Sequence, residues 1–377
     1  MQYTFTPLKR TIFLSFILLT IFAGQGSSCQ CENASESQSS QSSRGNSSGG
    51  QSGSLNQGKN TGQKKIVSSP NFQANLQKYE AIVKEALEKN KKEIILCNES
   101  IRDNEAIALA EVLENHPSLT DLNLSRNQIG AKGAEALAEA LQGNTSLTAL
   151  NLSRNQIRDG GAKALAEALQ GNPSLTDLNL RRNQIGKGGA EALAEALKLN
   201  PSLTDLNLSY NQIGDGGAKA LAEALQGNPS LTDLNLGYNQ IQNQGVAALT
   251  NVLSSNTSLT ALNLMGNQIR DGEVTVLADL LQHNTSLTDL DLSDNQIDDQ
   301  GAKVLAKALQ SHPSLAHLNL SFNDIKDDGA AALANTSLTT LNLCSNQIGD
   351  QGAAALSKVF REQESKFDLV RILPHQE

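Results

Sequence analysis

From residue 119 onward the apolar positions recur on a fixed period. The phrase LTDLNLSRNQIG and its variants begin at Leu119, Leu147, Leu175, Leu203, Leu231, Leu259, Leu287 and Leu315, 28 residues apart, and then at Leu338 after only 23. A looser copy starts at Lys91 and keeps its apolar places at Ile94, Leu96 and Ile101, which makes ten units. In LTDLNL the leucines alternate with polar residues, the two-residue period of a strand with one buried face. In GAEALAEALQGN, Ala134, Leu137, Ala138 and Leu141 share one face while Glu135, Glu139 and Gln142 take the other, so this segment predicts an amphipathic helix that its Gly-Asn ends. Between the two stands an Asn, at 127, 155, 183, 211, 239, 267, 295, 323 and 346, whose amide carries the donor and the acceptor that a buried turn needs. The following Ile, from Ile129 to Ile348, fills the core behind it. Asp at 159, 215, 271, 299, 327 and 350 falls where each helix would take an N-cap. One such unit cannot cover its own apolar face, but stacked copies cover one another.

The rest of the chain reads differently. Residues 1–28 carry Lys9 and Arg10, an apolar run from Ile12 to Ala23 and then small residues, a run shorter than the ~20 residues of a membrane span and typical of a cleaved export signal. Residues 29–69 are Ser, Gln, Gly and Asn with almost nothing apolar, which predicts a flexible linker. Residues 70–90 resume helical periodicity. Pro70 sits in the first turn after a capping Ser69, and Phe72, Leu76, Tyr79, Val83 and Leu87 form a stripe that would close the N-terminal end of the repeats at 91–373. The segment from Phe367 to Leu373 would close the other end as a strand.

The LxxLxLxxNxI core of the nine full units resembles the ribonuclease-inhibitor-like class of leucine-rich repeats, which includes cytosolic immune receptors and Ran GTPase-activating proteins. The resemblance implies an α/β solenoid (horseshoe) with a concave parallel β-sheet and convex helices. It also implies a protein-protein interaction scaffold. Cys29, after a run of small residues, resembles a bacterial lipoprotein cleavage site, although Gly26 stands where that pattern has Leu. Lipidation of Cys29 and ordinary cleavage near Gly26 both remain open, and either gives a secreted or cell-surface protein, plausibly bacterial.

Composition narrows the function further. A formal charge of -9 argues against nucleic acid as the main partner, and membrane contact is expected only through the N-terminal signal or a lipid on Cys29. His116, His283, His312, His317 and His375 are scattered, mostly in loops open to solvent, and form neither a metal set nor a catalytic pair. The glycines of GKGG at 186–189 and GDGG at 214–217 recur as helix-opening turns, without a phosphate-loop motif. No cofactor, metal or catalytic residue is therefore expected, and an enzyme is not the expected function. The expected function is binding of a protein ligand on the concave face. The alternatives are a passive structural or adhesive surface protein, an inhibitor of a secreted enzyme, or a Ran GTPase-activating-like regulator.

The residue seven places after each unit's first Leu would face that ligand: Arg126, Arg154, Arg182, Tyr210 and Tyr238, with Asp289, Asp291 and Asp294 as an acidic counterpart farther along. The competing reading is drift among duplicated copies, with the Arg charges screened by water and by Asp121, Asp177, Asp205 and Asp233. Two further expectations concern irregular places. The short unit at 315–337 omits five helical residues, which would leave a notch exposing Leu305 and Leu356. Cys97 and Cys344 occupy equivalent places in the first and last units, too far apart to pair, and both are expected as free thiols.

Overall fold

In the computed structural model, the described residues are 70–116, 118–362 and 369–371. Two compact units divide the chain, residues 1–58 and 59–377, and the described residues all belong to the second. It opens with α1 (Pro70–Glu88) and then alternates strand and helix: β1 (Glu93–Ile95), α2 (Asp103–Asn115), β2 (Asp121–Asn123), α3 (Ala131–Gly143), β3 (Ala149–Asn151), α4 (Arg158–Leu169), β4 (Asp177–Asn179) and α5 (Lys187–Leu197). The alternation continues through β5 (Asp205–Asn207), α6 (Gly214–Leu225), β6 (Asp233–Asn235), α7 (Asn243–Leu253), β7 (Ala261–Asn263), α8 (Asp271–His283), β8 (Asp289–Asp291) and α9 (Asp299–Leu309). It ends with β9 (His317–Asn319), α10 (Asp327–Leu333), β10 (Thr340–Asn342), α11 (Asp350–Glu362) and β11 (Leu369–Arg371).

The strands form one parallel sheet in chain order from β1 to β11. Register follows the sequence period, so that Asp177, Asp205 and Asp233 stand side by side, as do Leu178, Leu206 and Leu234. From β2 to β10 the middle leucine of each strand is buried against the helices, and the residues on either side of it are more open, apart from the buried Asn123. Strands lie about 4.8 Å apart whereas helices are about 10 Å wide, so the sheet is the concave side and the helices the convex. Small residues keep the helices close: Ala190 and Ala218 are fully buried between neighbours. At the N-terminal end α1 packs on α2 and buries Phe72, Tyr79 and Val83. Burial, with Glu105 and Glu99 nearby, pushes the Tyr79 hydroxyl up to about 12.

Two ladders of asparagine join successive units. Asn211 donates to the carbonyls of Leu208 (2.8 Å) in its own unit and Leu180 (3.0 Å) in the unit before, and its Oδ1 accepts from the amides of Asn183 (2.9 Å) and Ile185 (3.0 Å). On the opposite rim the Asn of each LQGN-like phrase does more than end a helix. Asn200 donates to Leu169 (2.6 Å) and Asn172 (3.1 Å) of the preceding unit and accepts from the amides of Ser202 (3.0 Å) and Leu203 (2.8 Å).

The Asp column corrects the capping expectation. Asp159, Asp215, Asp271, Asp299 and Asp327 lie inside the first turn of their own helix and accept from the amides that open the helix of the next unit, while Asp350 lies in the first turn of the last described helix. Asp299 accepts from the Lys326 and Gly329 amides, both at 2.8 Å, and Asp327 from Gly349 (2.7 Å) and Gly352 (3.0 Å). Asp103, outside the column read from the sequence, does the same for Gly130 (2.6 Å) and Gly133 (3.0 Å). An Asp already in the first turn has the neighbouring helix start beside it, and that is the nearer set of orphan amides. The close approach also explains the helix-opening glycines: a Cβ on Gly329 would stand 2.6 Å from the Asp299 carboxylate and 2.9 Å from Ala302.

The short unit holds a second correction. Helix α10 has seven residues between neighbours of 11 and 13, yet Leu305 and Leu356 are fully buried. The part that α10 retains, Gly329, Ala330 and Leu333, is the part that packs inward, so the deletion removes its last turn without baring those two flanking leucines.

Candidate functional site

On the concave face the residue after each strand's turn is held in an unusual backbone conformation. Arg126, Arg154, Arg182, Tyr210, Tyr238, Asp294, Phe322 and Ser345 all have φ between 52° and 58°, with Gly266 at 68°. An L-residue in this left-handed region costs about 1 kcal/mol or more, and glycine would avoid the cost. Eight of nine units nevertheless carry a side chain there, and only the Gly266 unit takes the cheaper residue. The turn aims these side chains along one rim of the sheet, one per strand step.

In the middle of this rim the side chains join. The Tyr210 and Tyr238 rings stack with centroids 4.1 Å apart and planes 23° from parallel. The guanidinium groups of Arg182 and Arg181 lie 4.3 Å and 4.5 Å from the Tyr210 ring centroid, within cation-π range. Tyr238 lies across the bare backbone of Gly266, where a Cβ would meet two ring carbons at 2.5 Å, and its hydroxyl donates to the Asp294 carboxylate. Burial and this bond to a carboxylate, with the Tyr210 hydroxyl beside it, hold the Tyr238 hydroxyl above the ordinary tyrosine range. The structure thus brings Arg182, Tyr210, Tyr238 and Asp294 into one row and extends the column back through Arg154 and Arg126. Asp289 and Asp291 serve other contacts: Asp289 accepts from Thr288 Oγ1 (2.6 Å), and Asp291 accepts from Ser293 Oγ (2.5 Å) and Asn263 Nδ2 (3.2 Å). Cys29 lies outside the described residues.

Sequence reasoning passed over Arg181 and gave Gly266 a place in the column but no role. Both were signalled by a break in the period, RRN for SRN and MGN for SYN.

A second column runs along the opposite ends of the same strands. Asp177, Asp205 and Asp233 are in register, flanked by Ala149 and Ala261. Burial pushes the carboxyls of Asp177 and Asp233 up to about 6, with repulsion from Asp205 and from Asp121 or Asp289 adding to it.

His312 departs from the solvated-loop expectation. It replaces an Asn in the second ladder, is 6% exposed, and its Nδ1 accepts from the amides of Leu315 (2.9 Å) and Ser314 (3.2 Å). Its Nε2 is buried without a hydrogen-bond partner, and burial lowers its pKa. Cys97 also departs from expectation, since it is disulfide-bonded. Cys344 follows β10, nine strand steps from β1, and is too distant to be its partner. The expectation of two free thiols weighed only that pair; any partner outside the repeats lies beyond the described residues. Among those residues no cluster of His, Cys, Asp and Glu has metal-binding geometry, and no helix is long and apolar enough to cross a membrane. An open cleft of about 440 Å³ lies on the rim among Arg270, Gln296, Asp324, Lys326 and Gln347, with Arg270 bonded to Gln296 and Gln347 to Asp324, both at 2.8 Å.

A single sheet of in-register strands, each returned by a helix and joined to its neighbours by asparagine ladders, defines a solenoid of repeated units. Nine segments, 115–138, 143–166, 171–194, 199–222, 227–249, 255–272, 283–306, 311–334 and 334–357, match the Leucine Rich repeat family model and together take in more than half of the chain. The chain belongs to the leucine-rich repeat family. Members of this family generally mediate protein-protein interaction and are typically scaffolds rather than enzymes. No curated protein matches the chain. Among solved structures it is similar to an internalin from Listeria monocytogenes, at 22% identity over 80% of this chain and 89% of that one, with a TM-score of 0.42. It is also similar to the actin-binding site 2 of leiomodin-1 (26% identity, 39% of this chain and 86% of that one, TM-score 0.36). A third likeness is to the tropomodulin C-terminal domain of Caenorhabditis elegans (18% identity, 35% and 81%, TM-score 0.31).

Proposed function

We propose that this chain is an exported binding scaffold, a bacterial secreted or surface-tethered member of the ribonuclease-inhibitor-like class, that takes a protein ligand on its concave face. The observation that carries this reading is the rim column. Arg and Tyr side chains occupy a backbone conformation where glycine costs less, and Arg182, Tyr210 and Tyr238 stack in sequence along it. Strained positions that keep a large side chain point to a role for that side chain, and Arg and Tyr are the residues that anchor interfaces. Export is supported by the basic Lys9 and Arg10 followed by the apolar run from Ile12 to Ala23. The test is capture of a stoichiometric partner by the full chain and by a variant carrying Arg154→Ala, Arg182→Ala, Tyr210→Ala and Tyr238→Ala. Loss of capture with an unchanged melting curve is expected. Undiminished capture would refute the concave-face reading, and no partner at all would favour a passive surface protein. Mass spectrometry of the processed chain decides the anchor: a diacylglyceryl mass on Cys29 marks a tethered protein, and an unmodified start near Ser27 a free one.

A further inference from the structure

We infer that the last two repeat units, residues 315–362, form an end module that swings open in acid, turning about the rim of the Arg and Tyr column while the opposite rim parts. The second asparagine ladder stops before them. From Asn172 to Asn284 each ladder Asn donates to a leucine carbonyl of the unit before it, at 2.6–2.9 Å. At the next two boundaries that link is missing. His312 replaces the first Asn. Its Nδ1 accepts from the Ser314 and Leu315 amides but its Nε2 is buried and unbonded, so the Leu281 and Asn284 carbonyls lose the donor that this position supplies elsewhere. At the second boundary Asn335 stands three residues before Leu338, as Asn284 stands before Leu287, but the helix ahead of it is the short α10. Asn335 is exposed and donates to Ala331 of its own helix (3.3 Å), and the buried Thr336 donates to Leu333 of the same helix (2.8 Å). One side-chain bond to the unit before survives on this rim, from Ser314 Oγ to the Leu287 carbonyl (2.9 Å).

The rim of the Arg and Tyr column stays fastened to the end. Asn323 donates to Leu292 (3.0 Å) and Asn346 to Leu320 (2.8 Å), Asp299 and Asp327 hold the helix starts of the units after them, and Lys303 on α9 pairs with Asp328 on α10 at 2.8 Å. One edge fastened and the other loose make a hinge, and His312 makes it respond to acid. A protonated imidazole offers the Ser314 and Leu315 amides no acceptor and sets a charge in a buried site, whereas parting of the rim lets the ring take its proton in water. Burial holds the His312 pKa below its ordinary 6.5, so the open form gains as pH falls through 6.5 and until it reaches the closed-form value. The titratable groups on the elements around His312 are Asp279 and His283 at the end of α8, Asp289 on β8, Lys307 on α9 and His317 on β9. All are exposed except Asp289, which is half-buried and bonded to Thr288. Asp328, held below its ordinary 3.8 by Lys303, keeps its charge through this window. The exposed Phe322, next after Asp294 in the column, belongs to the module, so opening shortens the row.

Hydrogen exchange of the full chain, read peptide by peptide as protection factors from about pH 5 to 8, tests this. It needs no partner, so its outcome is independent of the concave-face reading. Residues 315–362 should exchange as one block, faster than residues 175–309, and their protection should fall by up to about tenfold per pH unit below 6.5. In His312→Asn that acid step should vanish while the central units stay as they were. A second variant inserts Lys-Ala-Leu-Gln-Ser, the sequence of residues 307–311, between Ala334 and Asn335 and so restores the length that the short unit lacks. It should raise the protection of residues 338–362 and leave the acid step in place. An acid step that persists in His312→Asn would overturn the inference. So would residues 315–362 as protected as the central units, or a loss of protection graded from the C-terminal end with no block.

Discussion

Replacing His312 by Asn should stabilise the protein, and should do so more strongly in acid. The equivalent Asn284 bonds the backbone at four places: its Oδ1 accepts from the amides of Leu287 (2.8 Å) and Ser286 (2.9 Å), and its Nδ2 donates to the carbonyls of Leu253 (2.7 Å) and Asn256 (3.2 Å). His312 reproduces the accepting half through Nδ1 and leaves Nε2 unbonded. Two regained hydrogen bonds at about 1 kcal/mol each give a gain of about 1–2 kcal/mol at pH 8. Protonating Nδ1 would set a proton against two amide donors in a buried site. The folded-state pKa therefore lies below its ordinary 6.5, with burial as the cause. On acidification the unfolded chain takes up the proton first, so this group's stability is complete well above pH 6.5, declines as pH falls through it, and levels off below the folded-state value. Over that window the advantage of Asn should widen by up to about 1.4 kcal/mol per pH unit. Asp177 and Asp233, raised to about 6, have the opposite slope, favouring the folded state at low pH, but both proteins contain them and they cancel in the difference. Urea unfolding of wild type and variant from about pH 5 to 8 reads the effect, and hydrogen exchange at the Ser314 and Leu315 amides reads it locally. A difference that stays constant across that range, or a variant less stable than wild type, would refute the assignment of His312 to the ladder.

Asn211→Ala strands the Asn183 and Ile185 amides and deprives the Leu180 and Leu208 carbonyls of a donor, so it should cost at least about 3 kcal/mol, seen as a lower urea midpoint. Gly329→Ala drives a Cβ to 2.6 Å from Asp299 and 2.9 Å from Ala302, and the overpacking of about 1–3 kcal/mol should exceed the ~1 kcal/mol that Ala gains in helix propensity. A higher melting temperature would show that the helix starts are less tightly apposed than described. Asp205→Asn removes the charge between Asp177 and Asp233 and should lower both from about 6, measured by carboxyl NMR titration; unchanged values would show that Asp205 adds nothing to the shift.

What the sequence made legible was whatever the period multiplied. Alternating leucines, the Ala-rich face and the Asn at 127, 155 and onward each recur many times, and each recurrence constrains the same local geometry. What it hid depends on how far one unit stands from the next. Asp299 reads as a cap for the helix that follows it in the chain, and only the spacing of adjacent helices shows that its carboxylate reaches Lys326 and Gly329. His312 was hidden for a related reason: the Asn it replaces looked like a helix stop, and the hydrogen bonds of that Asn to the preceding unit span 28 and 31 residues. In the site, the order Arg, Arg, Arg, Tyr, Tyr was visible. The contact between Tyr238 and Asp294 was not, because it needs an absence of side chain at Gly266 that reads at first as a gap in the column.

The asparagine ladders also bear on how such a chain can grow. Asn211 completes the turn of the unit before it and asks nothing of the unit after it, and its longest reach is 31 residues. A duplication of one whole period thus arrives with its own stitching, and the copies on either side keep theirs. The five-residue loss before Leu338 obeys the same rule, for Asn346 still bonds Leu320 and Ile325 across the shortened unit, at separations of 26 and 21 in place of 31 and 26. Recombination within the gene could therefore change the number of units, and with it the length of the Arg and Tyr row, in single steps that leave each turn satisfied. The reach of the proposed binding rim would be a copy number, open to selection independently of the fold that carries it.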